Sequence, residues 1–448
     1  MFPALALFIC WIVASRYLHA STYGVYQSFW IQLSTLSTVV SLGFPTFIFN
    51  YPGDAAIKII RSVRRNHLLI YIVCVLLAAL IFAALQHHDG LSLAAAITLL
   101  LWVACNFVEA LLLALRGFRP AIFINGIYAV MLVAVHVYLL ENTYPLAVLC
   151  AGIAIALAFR VTAGLWVLHR IHRRHAYEEH GLDLTGHQTL WKQLALNDTI
   201  QVLFRWIDKF ILSLILMKAI FAVYVNASIE VPFLPILFAA ATGAAVQHWA
   251  SGKPENRDSL SVLHQASRLL AAIVFPLFAF LMLFRNEFLT TLFSAHYASG
   301  VWIFVCAQLV LPLRAFPFTS MLQSHKRGDI ITRGAVWDFV IACVAMYPLY
   351  LLLGLPGVAL SFVLSTYWQA AYYLRQTSDI SGIPVRKLVP FRTLILRLLL
   401  ALTCFTIYYY LLRLASLSIN AMFLCGAALL LIYSGIALWR EWTSEKHL

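Results

Sequence analysis

Long apolar blocks cut by short polar joins make up most of this chain. A helix needs roughly 20 residues to cross a hydrocarbon core about 30 Å thick, and about fourteen blocks reach or approach that length. The first six fall at residues 2–17, 22–48, 67–86, 92–115, 120–140 and 144–168. The remainder fall at 196–217, 221–248, 266–285, 297–322, 332–353, 357–375, 391–412 and 419–439. The expected fold class is an all-α polytopic membrane protein. The first block opens at Phe2 with no basic stretch ahead of it and no small-residue cleavage site behind it, so it reads as a membrane helix rather than a removable signal.

The longest polar join, 169–195, follows the sixth block and splits the chain. The expected organisation is a six-helix bundle over 1–175, a cytoplasmic linker over 176–195, a second six-helix bundle over 196–380 and an extra helix pair over 381–448. The join holds His169, His172, His175, Glu178, Glu179 and His180; a metal could bind such a tract, but a solvated basic linker is the preferred reading. The halves echo each other. Tyr23-Gly24-Val25-Tyr26-Gln27-Ser28 opens the second block, and Phe221-Ala222-Val223-Tyr224-Val225-Asn226 opens the eighth. Arg116-Gly117 closes the fourth and Arg327-Gly328 the tenth. Parallel repeats of this kind point to transport, with a site between the halves.

Composition agrees with the pattern: 62% of the 448 residues are apolar and 11% charged, against about 25% charged in soluble domains. A formal net charge of +13 would suggest nucleic acid in a soluble protein, but here the basic residues crowd alternate joins. One side receives clusters such as Lys58, Arg61, Arg64 and Arg65, or Arg386, Lys387, Arg392 and Arg397; the other receives Arg16, Lys218, Arg285 and Arg413. The positive-inside rule then places both termini in the cytoplasm. The eight cysteines all lie in apolar blocks and read as small hydrophobes, not as a disulfide framework or metal cluster. No Gly-x-x-x-x-Gly-Lys-Ser/Thr loop occurs, so direct ATP drive is not expected, and no cofactor or resident metal is implied.

Charges inside the blocks are the candidate chemistry, because each costs about 2.5–3.5 kcal/mol at a helix centre on insertion scales. Arg205, Asp208 and Lys209 share or adjoin one face at the head of the seventh block. Arg160 and Arg314 lie within the sixth and tenth, and Arg16 near the outer end of the first. Glu109, Glu230 and Asp338 are the other acids. Glu230, two residues before Pro232, is the first choice for a coupling carboxyl, since a helix break frees carbonyls beside it. Asp208 reads as a partner of Arg205. Each basic residue has a plainer alternative: Arg205 and Lys209 can snorkel to the interface, Arg314 can form an internal salt bridge, and Arg16 can anchor at the surface.

Arg16 followed by Ser21-Thr22-Tyr23-Gly24-Val25-Tyr26, then Ser41-Leu42-Gly43-Phe44-Pro45, resembles the opening of polysaccharide flippases of the O-antigen type, within the multidrug/oligosaccharidyl-lipid/polysaccharide exporter superfamily. Ile207-Asp208-Lys209-Phe210-Ile211-Leu212-Ser213, then Ala222-Val223-Tyr224 and Pro232, is similar to that family's seventh and eighth spans. Glu287-Phe288-Leu289 with Leu292-Phe293-Ser294 and Tyr297 is similar to its turn between spans nine and ten. The glycine expected before Tyr224 is absent, and the last two blocks exceed the common twelve. The resemblance implies two pseudo-symmetric six-helix bundles around a central cavity. It implies movement of an undecaprenyl-diphosphate-linked oligosaccharide from the inner to the outer leaflet of the bacterial cytoplasmic membrane, in surface polysaccharide synthesis beside a polymerase and chain-length machinery. Arg205, Lys209, Arg314, Arg160 and Arg16 would then hold the anionic head group, with Glu230, Glu109, Asp208 and Asp338 coupling an ion or pairing internally. The rival readings are a multidrug cation antiporter of the same superfamily, which would favour an acidic cavity, and a membrane polysaccharide polymerase, which would want a substantial outer loop.

Overall fold

Every described element is helical, as hydrocarbon demands: a membrane-buried N–H or C=O must be satisfied within its own segment or a closed barrel. The computed structural model describes residues 2–49, 58–59, 65–86, 90–174, 187–229, 238, 243, 256–325 and 327–445. By contacts the chain forms two compact units, Met1–Ala222 and Val223–Leu448.

Unit 1 contains α1 (Phe2–Tyr17), α2 (Ala20–Ser41), α3 (Phe44–Phe49), α4 (Arg65–Leu85), α5 (Leu91–Ala114), α6 (Phe118–Glu141), α7 (Leu146–Arg174) and α8 (His187–Ile215). α9 (Lys218–Ala227) straddles the boundary. α1 packs on α6, α5 on α4 and α7, and α2 on both α5 and α8. Unit 2 contains α10 (Asn256–Leu283), α11 (Arg285–Leu292), α12 (Val301–Gln308), α13 (Ser320–Ser324), α14 (Gly328–Leu353), α15 (Leu355–Ser381), α16 (Val385–Leu388), α17 (Phe391–Leu414) and α18 (Ile419–Glu445). α14 and α15 form a tight antiparallel pair, and α10 carries both α17 and α18.

Among the described residues, eight helices are long and apolar enough to cross a membrane: α4, α5, α6, most of α7 and α10, α14, α17 and most of α18. α2, α8 and α15 cover expected spans and are long enough to cross as well, yet are more polar. For α2 the reason is burial. Gln27, Ser28, Gln32, Thr35, Ser37 and Ser41 are all buried inside unit 1, so their polarity faces protein instead of lipid. Their bonds are mostly made internally, as burial requires, although Gln27 Oε1 has no partner among the described residues. Gln32 Nε2 donates to Ser213 Oγ at 3.0 Å and Gln86 Nε2 to Gln32 Oε1 at 2.8 Å, while Ser28 Oγ donates to the Gly24 carbonyl at 2.8 Å. His136 bonds the Leu132 carbonyl through Nδ1 at 2.7 Å, which leaves Nε2 to accept from the Tyr26 hydroxyl at 2.9 Å.

Two expected spans are broken. The block at 22–48 ends α2 at Ser41 and restarts as α3, because Leu42 and Gly43 take left-handed φ of 48° and 63°. The block at 297–322 becomes a 3-10 turn at Ala295–Gly300, then α12, then a second 3-10 turn at Leu311–Ala315, then α13. Pro312 and Pro317 lack the N–H that a continuous helix needs here.

The terminal pair is tied to unit 2 by charge as well as packing. Glu441 on α18 takes Arg397 of α17 on one oxygen and Arg268 of α10 on the other, the latter at 3.2 Å, and Arg397 also donates to the Arg268 carbonyl at 3.0 Å. Glu441→Gln removes the charge both guanidinium groups share. The pair is partly exposed, so the expected loss is about 1–2 kcal/mol, between the limits for surface and buried pairs. The midpoint of thermal unfolding should fall, and half-buried Cys404 and Cys425 on α17 and α18 should label faster with a maleimide. Unchanged labelling would mean packing alone holds the pair.

Candidate functional site

Each unit brings charged residues to a cavity of its own. In unit 1, Arg160 of α7 forms an ion pair with Glu109 of α5, and its Nε donates to Asn125 Oδ1 of α6 at 2.8 Å. Asn125 Nδ2 closes the triangle on Glu109 Oε1 at 2.8 Å, and the Tyr128 ring lies 5.0 Å from the guanidinium carbon. Three helices are thereby cross-linked around one buried cation. Arg160 is 9% exposed, and its charge is consumed by Glu109.

Glu109 also faces a cavity of about 570 Å³ formed by α2, α3, α5 and α8. Asp198 of α8 also lines it and accepts the Thr46 hydroxyl at 2.6 Å. Asn106 and the side chains of Thr38 and Ser41 complete its polar lining.

Further along α8, Asp208 is buried and pairs with Lys209 at 3.2 Å, with the Lys209 ammonium 5.8 Å from the Trp206 ring. Arg205 is exposed on the same helix, one turn before Lys209. Arg16 is exposed in the last turn of α1. The α8–α9 turn carries Lys218, whose ammonium donates to the Ser213 carbonyl at 2.6 Å and to Ser28 Oγ at 3.3 Å.

In unit 2, Arg314 sits on the 3-10 turn that interrupts the expected tenth span, so the chain break, not a long reach, exposes it. It lines a cavity of about 310 Å³ together with Gln323, Gln369, Thr319, Thr366 and Tyr373. The Phe238 ring lies 5.6 Å from its guanidinium carbon. A guanidinium flanked by amides and hydroxyls suits a phosphate oxygen. Asp338 of α14 is 4% exposed, lies beside the Ser365 hydroxyl and within the field of Arg314, and its Oδ1 is buried with no hydrogen-bond partner among the described residues. Glu230, with Pro232 and Pro235, lies outside the described residues.

Arg160 and Glu109 are brought together with each other, and Asp208 with Lys209, while Asp338 lies within the field of Arg314 in the second unit without an ion pair between them among the described residues. Sequence reasoning passed over Asp198, Asn106 and Asn125. Their signal was available: each is a polar residue inside or at the edge of an apolar block, although none carries a net basic charge.

Solved structures of similar shape exist. A structure described as the lipid II flippase MurJ in an inward closed conformation superposes with a TM-score of 0.65 at 15% identity, covering 97% of this chain and 96% of its own. An inward-facing multidrug resistance MATE family transporter of the MOP superfamily gives 0.62 at 14%, covering 86% of this chain and 96% of its own. A MATE protein crystallised with the ligand MaD5 gives 0.51 at 13%, covering 86% and 96%. The chain has the fold of these membrane transporters. They are transporters and a flippase, not enzymes. No protein-family model and no curated protein matches the sequence.

Proposed function

We propose that this protein is a flippase that moves a polyprenyl-diphosphate-linked oligosaccharide across the cytoplasmic membrane by alternating access, with both termini in the cytoplasm. The observation that carries the reading is the extent of the shape match. The lipid-linked flippase covers 97% of the chain, whereas the multidrug transporter covers 86%, a shortfall about the size of the terminal pair α17–α18. The broken helix supports it, since it presents Arg314 to a cavity whose other polar groups are neutral. Arg314 is the leading diphosphate ligand, with exposed Arg205 and Arg16 and Lys209 behind it; Arg160 is held by Glu109. Asp338, with an unmet oxygen, is a better coupling carboxyl than Glu109, which an arginine already neutralises. The bodies proposed to rock are the sequence halves 1–175 and 196–380, joined by 176–195, with 381–448 carried on the second. Partners would be the enzymes that build the lipid-linked unit and the polymerase that consumes it.

The carboxylates on the unit 1 cavity favour the cation antiporter as a second reading. Both are tested by leaflet transfer of a fluorescent polyprenyl-diphosphate oligosaccharide in proteoliposomes. Wild-type protein is expected to transfer it, and Arg314→Gln to slow transfer at least about tenfold, the loss of a charge-assisted phosphate contact. Gradient-driven efflux of a cationic dye with no lipid transfer would hand the protein to the antiporters.

A further inference from the structure

Among the described polar side chains that line the unit 1 cavity, hydrogen-bond acceptors predominate. Thr38 Oγ1 donates its proton to the Ser34 carbonyl at 2.9 Å and Ser41 Oγ to the Ser37 carbonyl at 2.7 Å, so both oxygens offer only lone pairs to the cavity. Thr46 spends its proton on Asp198. The carboxylates of Glu109 and Asp198 are acceptors outright, and among the described lining side chains the Asn106 amide adds donors. The occupant must therefore bring many donors.

Charge and size choose among donor-rich groups. Arg160 neutralises Glu109, so among the described lining residues Asp198 carries the remaining net charge, a negative one. A diphosphate, acceptor-rich and anionic, is repelled. A bare metal cation wants six or more oxygens converging at about 2.3–2.6 Å, whereas this space of about 570 Å³ is of the size that encloses an organic ligand. Among the described residues no cluster of three metal-ligating side chains occurs. Hydroxyl groups on a pyranose ring meet every requirement: they donate to carboxylates and to threonine and serine oxygens, and a ring oxygen or acetamide can accept from Asn106.

We propose that this cavity is a saccharide subsite that holds sugar units of the lipid-linked cargo by their hydroxyl groups, an inference that rests on the flippase reading above. Glu109 of α5 and Asp198 of α8 receive the sugar's donors, and the Arg160–Asn125 brace holds the Glu109 carboxylate in place. The sugar is thus read by acceptor oxygens, chemistry unlike that of the arginine proposed for the head group.

The test uses full-length protein in nanodiscs. Binding is measured for undecaprenyl diphosphate and for the same lipid carrying glucose, galactose or N-acetylglucosamine. At least one sugar-bearing lipid should bind wild-type protein about tenfold or more tighter than the bare one. In Asp198→Asn with Asn106→Ala that gain should vanish, so that sugar-bearing and bare lipids bind alike. A second reporter is independent of the lipid: Leu113→Cys, an apolar position on the cavity wall, in a Cys74→Ser background that removes an exposed thiol. Methyl glycosides at high concentration should slow its labelling by a maleimide, and should fail to do so in the double variant. A gain that survives the double variant overturns the subsite, as does labelling slowed by sodium chloride over choline chloride but not by glycosides, which would make the cavity a cation site. Glycoside protection without any lipid binding would sink the flippase reading while the subsite stands; lipid binding with neither gain nor protection would do the reverse.

Discussion

Glu109→Ala should lower the stability of unit 1 by about 3 kcal/mol. Removing one partner of a buried ion pair costs roughly 3–5 kcal/mol, because the other charge stays behind in low dielectric without its counter-ion. The lower end applies because the Glu109 side chain is 33% exposed, so water from the cavity can partly solvate what remains. Asn125 also loses its acceptor, and Arg160 keeps only Asn125 and the Tyr128 ring. The protein carries its own reporter: Cys10, Cys105 and Cys150 are buried in unit 1, so a thiol-reactive dye follows its thermal opening. The cure should come from the opposite side of the pair. Adding Arg160→Met to Glu109→Ala removes the stranded cation, and replacing a whole buried pair by apolar groups of similar volume is often neutral. The double variant should therefore unfold close to wild type, and the cycle should show a coupling of about 1–3 kcal/mol between neighbours. Equal melting of Glu109→Ala and wild type would show that the guanidinium is solvated independently of Glu109.

Gly24→Ala and Gly126→Ala should move stability in opposite directions although the chemical change is identical. A Cβ on Gly24 would fall onto the backbone carbonyl of Lys218, well inside van der Waals contact, with the carbonyl carbon at 2.6 Å. Backbone cannot swing aside as a rotamer does. The methyl must push α2 away from the α8–α9 turn and stretch the bonds from Lys218 to Ser28 and Ser213. Overpacking costs typically about 1–3 kcal/mol, and a backbone clash belongs at or above the top of that range. Around Gly126 on α6 nothing lies within 4 Å, so alanine there only removes backbone freedom and should stabilise by about 0.5–1 kcal/mol. The same dye assay reads both. If Gly24→Ala melts no lower than wild type, the close approach of α2 to the turn is not needed for the fold.

The membrane class, the all-helical architecture and the placement of the described helices were legible in the sequence, because hydropathy is summed locally along a segment. α4, for example, is apolar all round, and its Leu68, Leu69, Leu76 and Leu80 are exposed where lipid would lie. The likeness in fold to the flippase and MATE structures was legible too, in short motifs whose order carried more than their identity. The breaks were half legible. Pro312, Pro317 and Gly43 announced themselves, but that Arg314 would be exposed on a 3-10 turn beside a cavity depended on how the pieces repacked.

Pairing was not legible. Arg160 meets Glu109 across 51 residues and Asn125 across 35, and which of several cations finds which acid depends on the faces that three helices turn toward each other. Helical spacing put Asp208 beside Arg205, and in the fold its buried carboxylate takes Lys209, the next residue along. Asp198 carried no signal beyond being a carboxylate near the head of an apolar block, and only the packing of α3 against both α8 and α5 makes it part of a cavity wall. The sequence by itself determined what must be helical and what must leave the lipid, since transfer free energy belongs to each residue. The tertiary structure alone decided which charges are neutralised and which remain to meet a ligand, since that energy belongs to pairs of atoms a few ångströms apart.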